Sequence, residues 1–201
     1  MLAGFGYKIS MVPFHYWTPD VYEGVPTPVA AFLSVAPKAA GLSILIRIFH
    51  VMFTQDGSLS EVGALENINW PGIIAIASAA TMTLGNVLAI QQEDVKRILA
   101  YSSISHVGFM LMAFTIVTPD AIRAIMIYLF IYLFMNLSAF YMCIYASNKI
   151  DAHYVDDWKG LGRKAPVLAI FMTISLISLT GLPPTSGFIG KLYVFSELFK
   201  N

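Results

Sequence analysis

The amino-acid sequence predicts an all-α, polytopic transmembrane helix bundle in which two of the helices are broken. Three observations carry this expectation. Of the 201 residues, 57% are hydrophobic and only 12% are charged, whereas soluble domains carry about 25% charged residues. Apolar runs recur at the length of about 20 residues that a helix needs to cross a hydrocarbon core, where only helices or closed barrels satisfy their own backbone. Short links rich in Gly, Pro or charge separate these runs.

The bulk numbers also exclude classes of function. The formal net charge is zero, so no nucleic-acid partner is expected, and the surroundings read as lipid bilayer and hydrophobic neighbours within it. Cys143 is the single cysteine, and one thiol cannot hold an iron–sulfur cluster, which takes about four ligands. The sequence carries no glycine-rich phosphate loop, no metal-ligand spacing and no nucleophile elbow. Met1 is followed by Leu-Ala-Gly-Phe-Gly-Tyr and then Lys8, which resembles the second half of a helix more than a signal peptide. Both ends read as internal, so residues 1 to 201 are expected to be one transmembrane domain cut from a longer protein.

Taken in order, the first span covers residues 1 to 24 and is interrupted at Pro13, which removes an N–H and clashes with the preceding turn. Thr18-Pro19-Asp20 reads as a new helix start, with Thr18 as N-cap, Pro19 at the first position and Asp20 in the first turn. The second span, 28 to 53, contains Pro37, Lys38 and Arg47, and a polar loop from Thr54 to Asn69 follows it. Trp70 reads as an interfacial anchor. The third span, 71 to 91, is rich in Ala, Ser and Gly, which suits close helix packing. The fourth, 97 to 117, carries Tyr101, Ser102, Ser103, Ser105 and His106; the fifth, 120 to 146, follows a turn in which Thr118 or Asp120 can act as a cap. A charged connector from 147 to 166 leads to the sixth, 166 to 199, which is broken at Pro183 and Pro184 and then holds Lys191. The links at 91 to 97 and 147 to 166 hold the clear loop lysines and arginines, so they mark one side of the membrane, the cytoplasmic side in a bacterium. By this count the connector after residue 18 lies on the same side although it lacks Lys and Arg.

Buried charge is the main clue to function. A lysine near the bilayer centre costs roughly 2.5 to 3.5 kcal/mol on insertion scales, so Lys8, Lys38 and Lys191 together cost on the order of 8 to 10 kcal/mol if none snorkels, comparable with the net stability of a domain. Two readings stand side by side. In one, the lysines snorkel or pair with a carboxylate outside this sequence, as Arg47 near its span's end is expected to snorkel. In the other they relay protons, because burial makes the charged form costly and brings a lysine into the range where it gains and loses a proton. Two such charges about 8 Å apart repel by about 2 kcal/mol at an effective dielectric near 20, so protonating one expels a proton from the next. His106 can take and pass a proton near neutral pH, or serve a structural hydrogen bond. His15, just past Pro13, is a further candidate for lining a water-filled gap, whereas His50 and His153 read as interfacial or loop residues. The two broken helices run in opposite directions by the span count, and paired interruptions of this kind point to ion pathways in transporters built from inverted repeats.

Phe14-His15-Tyr16-Trp17-Thr18-Pro19-Asp20-Val21-Tyr22-Glu23-Gly24, followed by Pro28-Val29-Ala30-Ala31-Phe32-Leu33-Ser34-Val35-Ala36-Pro37-Lys38, resembles the antiporter-like N-subunit family of respiratory complex I, the NADH-quinone oxidoreductase. Lys96-Arg97-Ile98-Leu99-Ala100-Tyr101-Ser102-Ser103-Ile104-Ser105-His106 and Leu179-Thr180-Gly181-Leu182-Pro183-Pro184-Thr185-Ser186-Gly187-Phe188-Ile189-Gly190-Lys191 are similar to two further segments of it. The resemblance covers nearly the whole chain. It implies a fold of about fourteen helices with two inverted five-helix repeats, of which this chain would hold helices 7 to 12. It implies that Lys8, Lys38, His106 and Lys191 form a proton relay along a hydrophilic axis, with Lys8 paired to a glutamate on a helix absent here. It further implies other membrane-arm subunits as partners, a bacterial inner membrane, and FMN, iron–sulfur clusters and quinone in other subunits, with no cofactor on this chain. A stand-alone Mrp-like cation/proton antiporter and a purely structural scaffold are the alternatives.

Overall fold

The computed structural model describes residues 2–54, 69–116 and 118–200, apart from the side chains of residues 2 and 50–54. The described residues are predominantly helical, in an order set by local chemistry. Helix α1, Leu2–Ile9, ends at Ser10, which takes a left-handed conformation (φ 64°) three residues before Pro13, within the turn that a proline disrupts. Helix α2, Trp17–Gly24, resumes after the break. Within the break the Met11 N–H donates to Gly6 O at 2.8 Å, the Phe14 N–H to Met11 O at 2.6 Å and the Val12 N–H to Thr81 Oγ1 at 3.1 Å. Irregular backbone survives at membrane depth only with its polar groups satisfied in this way.

One expectation is corrected here. Thr18 is not the N-cap of α2: the helix starts at Trp17 after Tyr16, which makes no side-chain cap bond. Thr18 is fully buried, and its hydroxyl donates to Ser10 Oγ at 2.7 Å, tying the two halves of the broken helix together. A buried hydroxyl without a partner is costly, and the turn at Ser10 supplies one.

Helix α3, Thr27–Thr54, runs through Pro37. The polar loop expected after it lies at residues 55–68, outside the described residues. Helix α4, Trp70–Ile90, is capped by Asn69, whose side chain accepts from the Gly72 N–H at 3.1 Å. Trp70 packs edge-on to Phe49 and beside Phe114, so it closes an aromatic cluster at the helix end as well as marking that end. Helix α5, Val95–Phe114, starts at Asp94, which accepts from the Arg97 N–H at 2.9 Å. Thr118 caps α6, Pro119–Ile150, through the Ala121 N–H.

The charged connector from 147 onwards is partly helical. Helix α6 continues through Lys149, a cation that suits a helix C-terminus, and stops at Asp151, which is left-handed. A 3-10 turn, Val155–Trp158, and a short helix α7, Leu161–Lys164, follow. The turn is pinned by Asp157, whose carboxylate accepts from the Tyr154 N–H at 2.8 Å and the His153 N–H at 3.0 Å. Helix α8, Pro166–Thr180, and helix α9, Ser186–Lys200, form the second broken span.

Four of these helices, in α3, α4, α5 and α6, are long and apolar enough to cross a membrane singly. The outer faces of α4, α6 and α8 carry exposed Ile76, Phe130, Phe134, Ile170 and Ile174, the surface a hydrocarbon solvent accepts. Helix α5 occupies the centre and packs against α2, α3, α4, α6 and α9. Its tightest neighbour is α4, where a Cβ on Gly85 would come 2.8 Å from the Ser105 backbone nitrogen. Small residues let two backbones approach this closely. The three links expected on one side meet there. The Val95 N–H donates to His153 O, the Val155 N–H to Glu93 O, and Lys96 Nζ to Glu23 O and Val25 O. The connector after α2 therefore lies on the basic side, as the span count requires. At the other end Arg123 sits in the first turns of α6, 2.7 Å from Asp120.

Two expected outcomes follow from this packing. Replacing Gly85 by Val forces α4 away from α5 and lowers stability by about 1 to 3 kcal/mol, measurable as the unfolding transition of the detergent-solubilised full-length protein. The Tyr154 and His153 amides hold the Asp157 carboxyl below the usual carboxylate range. Its contribution is therefore complete above about pH 4 and is lost as pH falls through the lowered value. The fluorescence of Trp158, taken as the difference between the full-length protein and its Trp158→Phe variant, should report loosening only at strongly acid pH, and Asp157→Asn should remove that transition.

Candidate functional site: a buried basic seam

Three of the basic residues singled out in the sequence come together, each from a different helix. Lys38, on α3, is 3% exposed, and its Nζ donates to Ser103 Oγ of α5 at 2.5 Å. The Tyr22 ring of α2 lies 5.9 Å from the same nitrogen. Ser103 in turn donates to Ala100 O at 2.7 Å, so its hydroxyl serves its own helix and the lysine at once.

One turn along α5, about 4.5 Å at 1.5 Å per residue, His106 is also 3% exposed. Its Nδ1 shares a 2.6 Å hydrogen bond with the Tyr128 hydroxyl, and its ring lies 5.1 Å from that of Tyr132. Tyr128, Tyr132 and Asn136 stand four residues apart on α6 and so share one face. Tyr132 donates to Ser34 O at 3.3 Å and Asn136 Nδ2 to Ser34 Oγ at 2.5 Å, which binds α6 to α3 one turn from Lys38.

On the far side of His106 a cavity of about 470 Å³ opens, lined among others by Ser102, Ser105, His106, Phe109, Thr180 and Lys191. Lys191 of α9 donates through Nζ to Thr180 O at 2.8 Å and lies 4.5 Å from the centre of the Phe109 ring. The acceptor exists because α8 ends there: the last carbonyls of a helix have no intrahelical donor. Gly181 makes the sharp exit possible, with φ 79°, and a Cβ at that position would meet the Lys191 stem at 2.9 Å. The helix break at Pro183 and Pro184 thus furnishes the lysine's partner.

The other candidates stand apart from this group. Lys8 is exposed on α1, its stem against Gly41 of α3. His15 is buried inside the Pro13 break, where its ring stacks on Tyr16 at 4.4 Å, and its Nδ1 has no hydrogen-bond partner among the described residues. His153 is a loop residue 3.2 Å from Asp151 Oδ1, and the His50 side chain lies outside the described residues. Among the described residues no three His, Cys, Asp or Glu side chains are grouped as metal ligands.

Sequence reasoning missed Ser103 as the lysine's acceptor and the face of α6 formed by Tyr128, Tyr132 and Asn136. The second carried a readable signal, since an amide and two phenols at four-residue spacing in an apolar run mark a polar stripe. The first did not, because a serine hydroxyl in a span usually bonds its own helix, and this one does so as well.

The arrangement can hold a proton at Lys38, His106 or Lys191 and can order water in the cavity between the last two. Ser103→Ala leaves the buried Lys38 amine without its acceptor and should destabilise the protein by about 1.5 to 3 kcal/mol, the range for hydrogen bonds to charged groups. Ser103→Thr should retain stability in the same unfolding measurement.

Known proteins share this architecture. All of residues 1–201 match the family model described as NADH:quinone oxidoreductase/Mrp antiporter, transmembrane. NADH-quinone oxidoreductase subunit N 2 of Sorangium cellulosum is 52% identical over 200 residues, which are 98% of this chain and 38% of the relative. The protein of the same name from Chloroherpeton thalassium is 48% identical over 198 residues, with the same coverage of 98% and 38%. Among solved structures, a chain of respiratory complex I from Thermus thermophilus with bound aureothin is 34% identical, with a TM-score of 0.78 over 99% of this chain and 41% of that one. A chain of the Mrp complex from Dietzia has a TM-score of 0.86 at 24% identity, covering 99% of this chain and 35% of its own, a likeness of fold. This chain spans about two fifths of the length of the subunit N relatives it matches.

Proposed function

We propose, since this chain belongs to the NADH:quinone oxidoreductase/Mrp antiporter transmembrane family, that it carries protons through the membrane arm of an NADH-quinone oxidoreductase. The observation that supports this most is the grouping of Lys38, His106 and Lys191 from α3, α5 and α9 around one polar seam with a cavity at its far end. Isolated structural lysines have no need to converge on one histidine.

In this reading Lys38 holds a proton at Nζ while Ser103 Oγ accepts from it. His106 receives a proton at an imidazole nitrogen, and its bond to Tyr128 fixes the ring. Water in the cavity carries the proton on to Lys191 Nζ, which Thr180 O holds in place. Charges on neighbouring members repel by about 2 kcal/mol at separations near 8 Å and an effective dielectric of about 20, so loading one favours unloading the next. Lys8 and His15 belong to the same route in the longer protein, upstream of Lys38. Quinone reduction in neighbouring subunits drives the cycle, FMN and iron–sulfur clusters stay in those subunits, and the assembly sits in a bacterial inner membrane with the basic links facing the cytoplasm.

The alternative is a stand-alone cation/proton antiporter, for which the fold likeness to the Mrp complex speaks. The higher identity to subunit N relatives favours the first reading. Lys38→Ala or Lys191→Ala in the full-length protein should reduce NADH-driven proton uptake by inverted membrane vesicles severalfold. Undiminished uptake in both variants would overturn the assignment. Sodium-dependent growth defects with normal NADH-driven uptake would favour the antiporter.

A further inference from the structure

Lys38 lies beneath one short helix that ends among the basic-side links. Tyr22 of α2 is fully buried over the Lys38 amine, while the next residue, Glu23, is 46% exposed at its side chain. Helix α2 has eight residues, too few to hold its shape without tertiary support. Its first turn is tied to the end of α1 by Thr18 Oγ1 on Ser10 Oγ and Trp17 Nε1 on Tyr7 O, whereas its last turn is held by polar contacts to two adjacent residues at the start of α5. Arg97 Nη1 lies 2.6 Å from Glu23 Oε2 and 3.1 Å from Asp20 Oδ1, and Arg97 Nε donates to Gln92 Oε1 at 3.0 Å. Lys96 Nζ donates to the main-chain oxygens of Glu23 at 2.5 Å and Val25 at 3.3 Å, taking up carbonyls left free at the helix end.

We propose that Lys96 and Arg97 clamp α2 over Lys38 and that this clamp is the basic-side gate of the route. Closed, it keeps the Tyr22 ring over the amine. Open, it lets basic-side water reach Lys38. The inference rests on the assignment of Lys38 to the route. Two features favour a moving gate over a fixed wall. The clamp is built from partly exposed ion pairs, which are individually weak. On the inner side, the Tyr22 hydroxyl lies beside Ser103 without a hydrogen bond of good geometry among the described residues, so the ties of this turn to the seam are the Tyr22 ring beside Lys38 and apolar packing. Lys96 and Arg97 are positioning residues here, since they act through α2.

The test uses the full-length protein in its assembled complex, in inverted membrane vesicles. Glu23→Cys and Arg97→Cys are combined and joined by a short bis-methanethiosulfonate cross-linker that thiol reductants reverse. Cross-linking should reduce proton uptake per NADH oxidised at least severalfold, reductant should restore it, and neither single-cysteine variant should respond. Equal uptake with and without the cross-link would show that α2 does not move and would overturn the gate. If the cysteine pair is inactive even when reduced, charge exchange decides. Recovery in Glu23→Arg/Arg97→Glu relative to either single reversal supports the clamp, and equal loss in all three overturns it. Failure of the underlying assignment looks different: Lys38→Ala would then leave uptake intact whatever the cross-link does.

Discussion

The structure depends on the cost of placing Lys38 where water does not reach. An amine at 3% exposure in a hydrocarbon-embedded bundle needs an acceptor, and α5 meets that need with Ser103. The need also places α5. It must lie at the centre, against α3 for Lys38, α6 for Tyr128 and α9 for the cavity wall. The close approach of α4 at Gly85 and the Ser34, Tyr132 and Asn136 contacts between α3 and α6 hold it there. A seam in which each polar group has a partner is rigid. One in which a charge can leave its partner for the next site conducts.

The two helix breaks perform different work in this frame. The second frees the Thr180 carbonyl at the end of α8, and Lys191 takes it, so the interruption creates the site. The first satisfies itself: Met11, Val12 and Phe14 amides find acceptors within the break or on Thr81, and Thr18 locks onto Ser10. Its product is the short half-helix α2, which covers Lys38 and carries Tyr22 and Glu23. Similar sequence devices, a proline pair or a lone proline near a lysine, thus yield an acceptor in one place and a short covering helix in the other.

Much of this was legible beforehand. Apolar run lengths located the long helices because the bilayer imposes a length, and Pro13, Pro183 and Pro184 marked the breaks because proline cannot donate. Lys38, His106 and Lys191 stood out because charge in such runs is expensive. What stayed hidden was pairing across space. Nothing in Ser103's own helix distinguishes it from Ser102, and the Arg97 link to Glu23 spans 74 positions. Thr18 was misread because its local pattern fits an N-cap, whereas the tertiary contact to Ser10 offered its hydroxyl a better use. The helical turns between 151 and 164 were not legible in a charged connector, because Asp157 gathers the Tyr154 and His153 amides only once the chain is folded.

In the proposed route His106 is the middle station through which protons pass between Lys38 and Lys191. Replacing His106 by Phe in the full-length protein, and measuring protons translocated per NADH oxidised in the assembled complex, tests it most directly. The seam predicts a severalfold fall in that ratio. An unchanged ratio would mean that protons do not pass through the centre of α5, and would contradict the account.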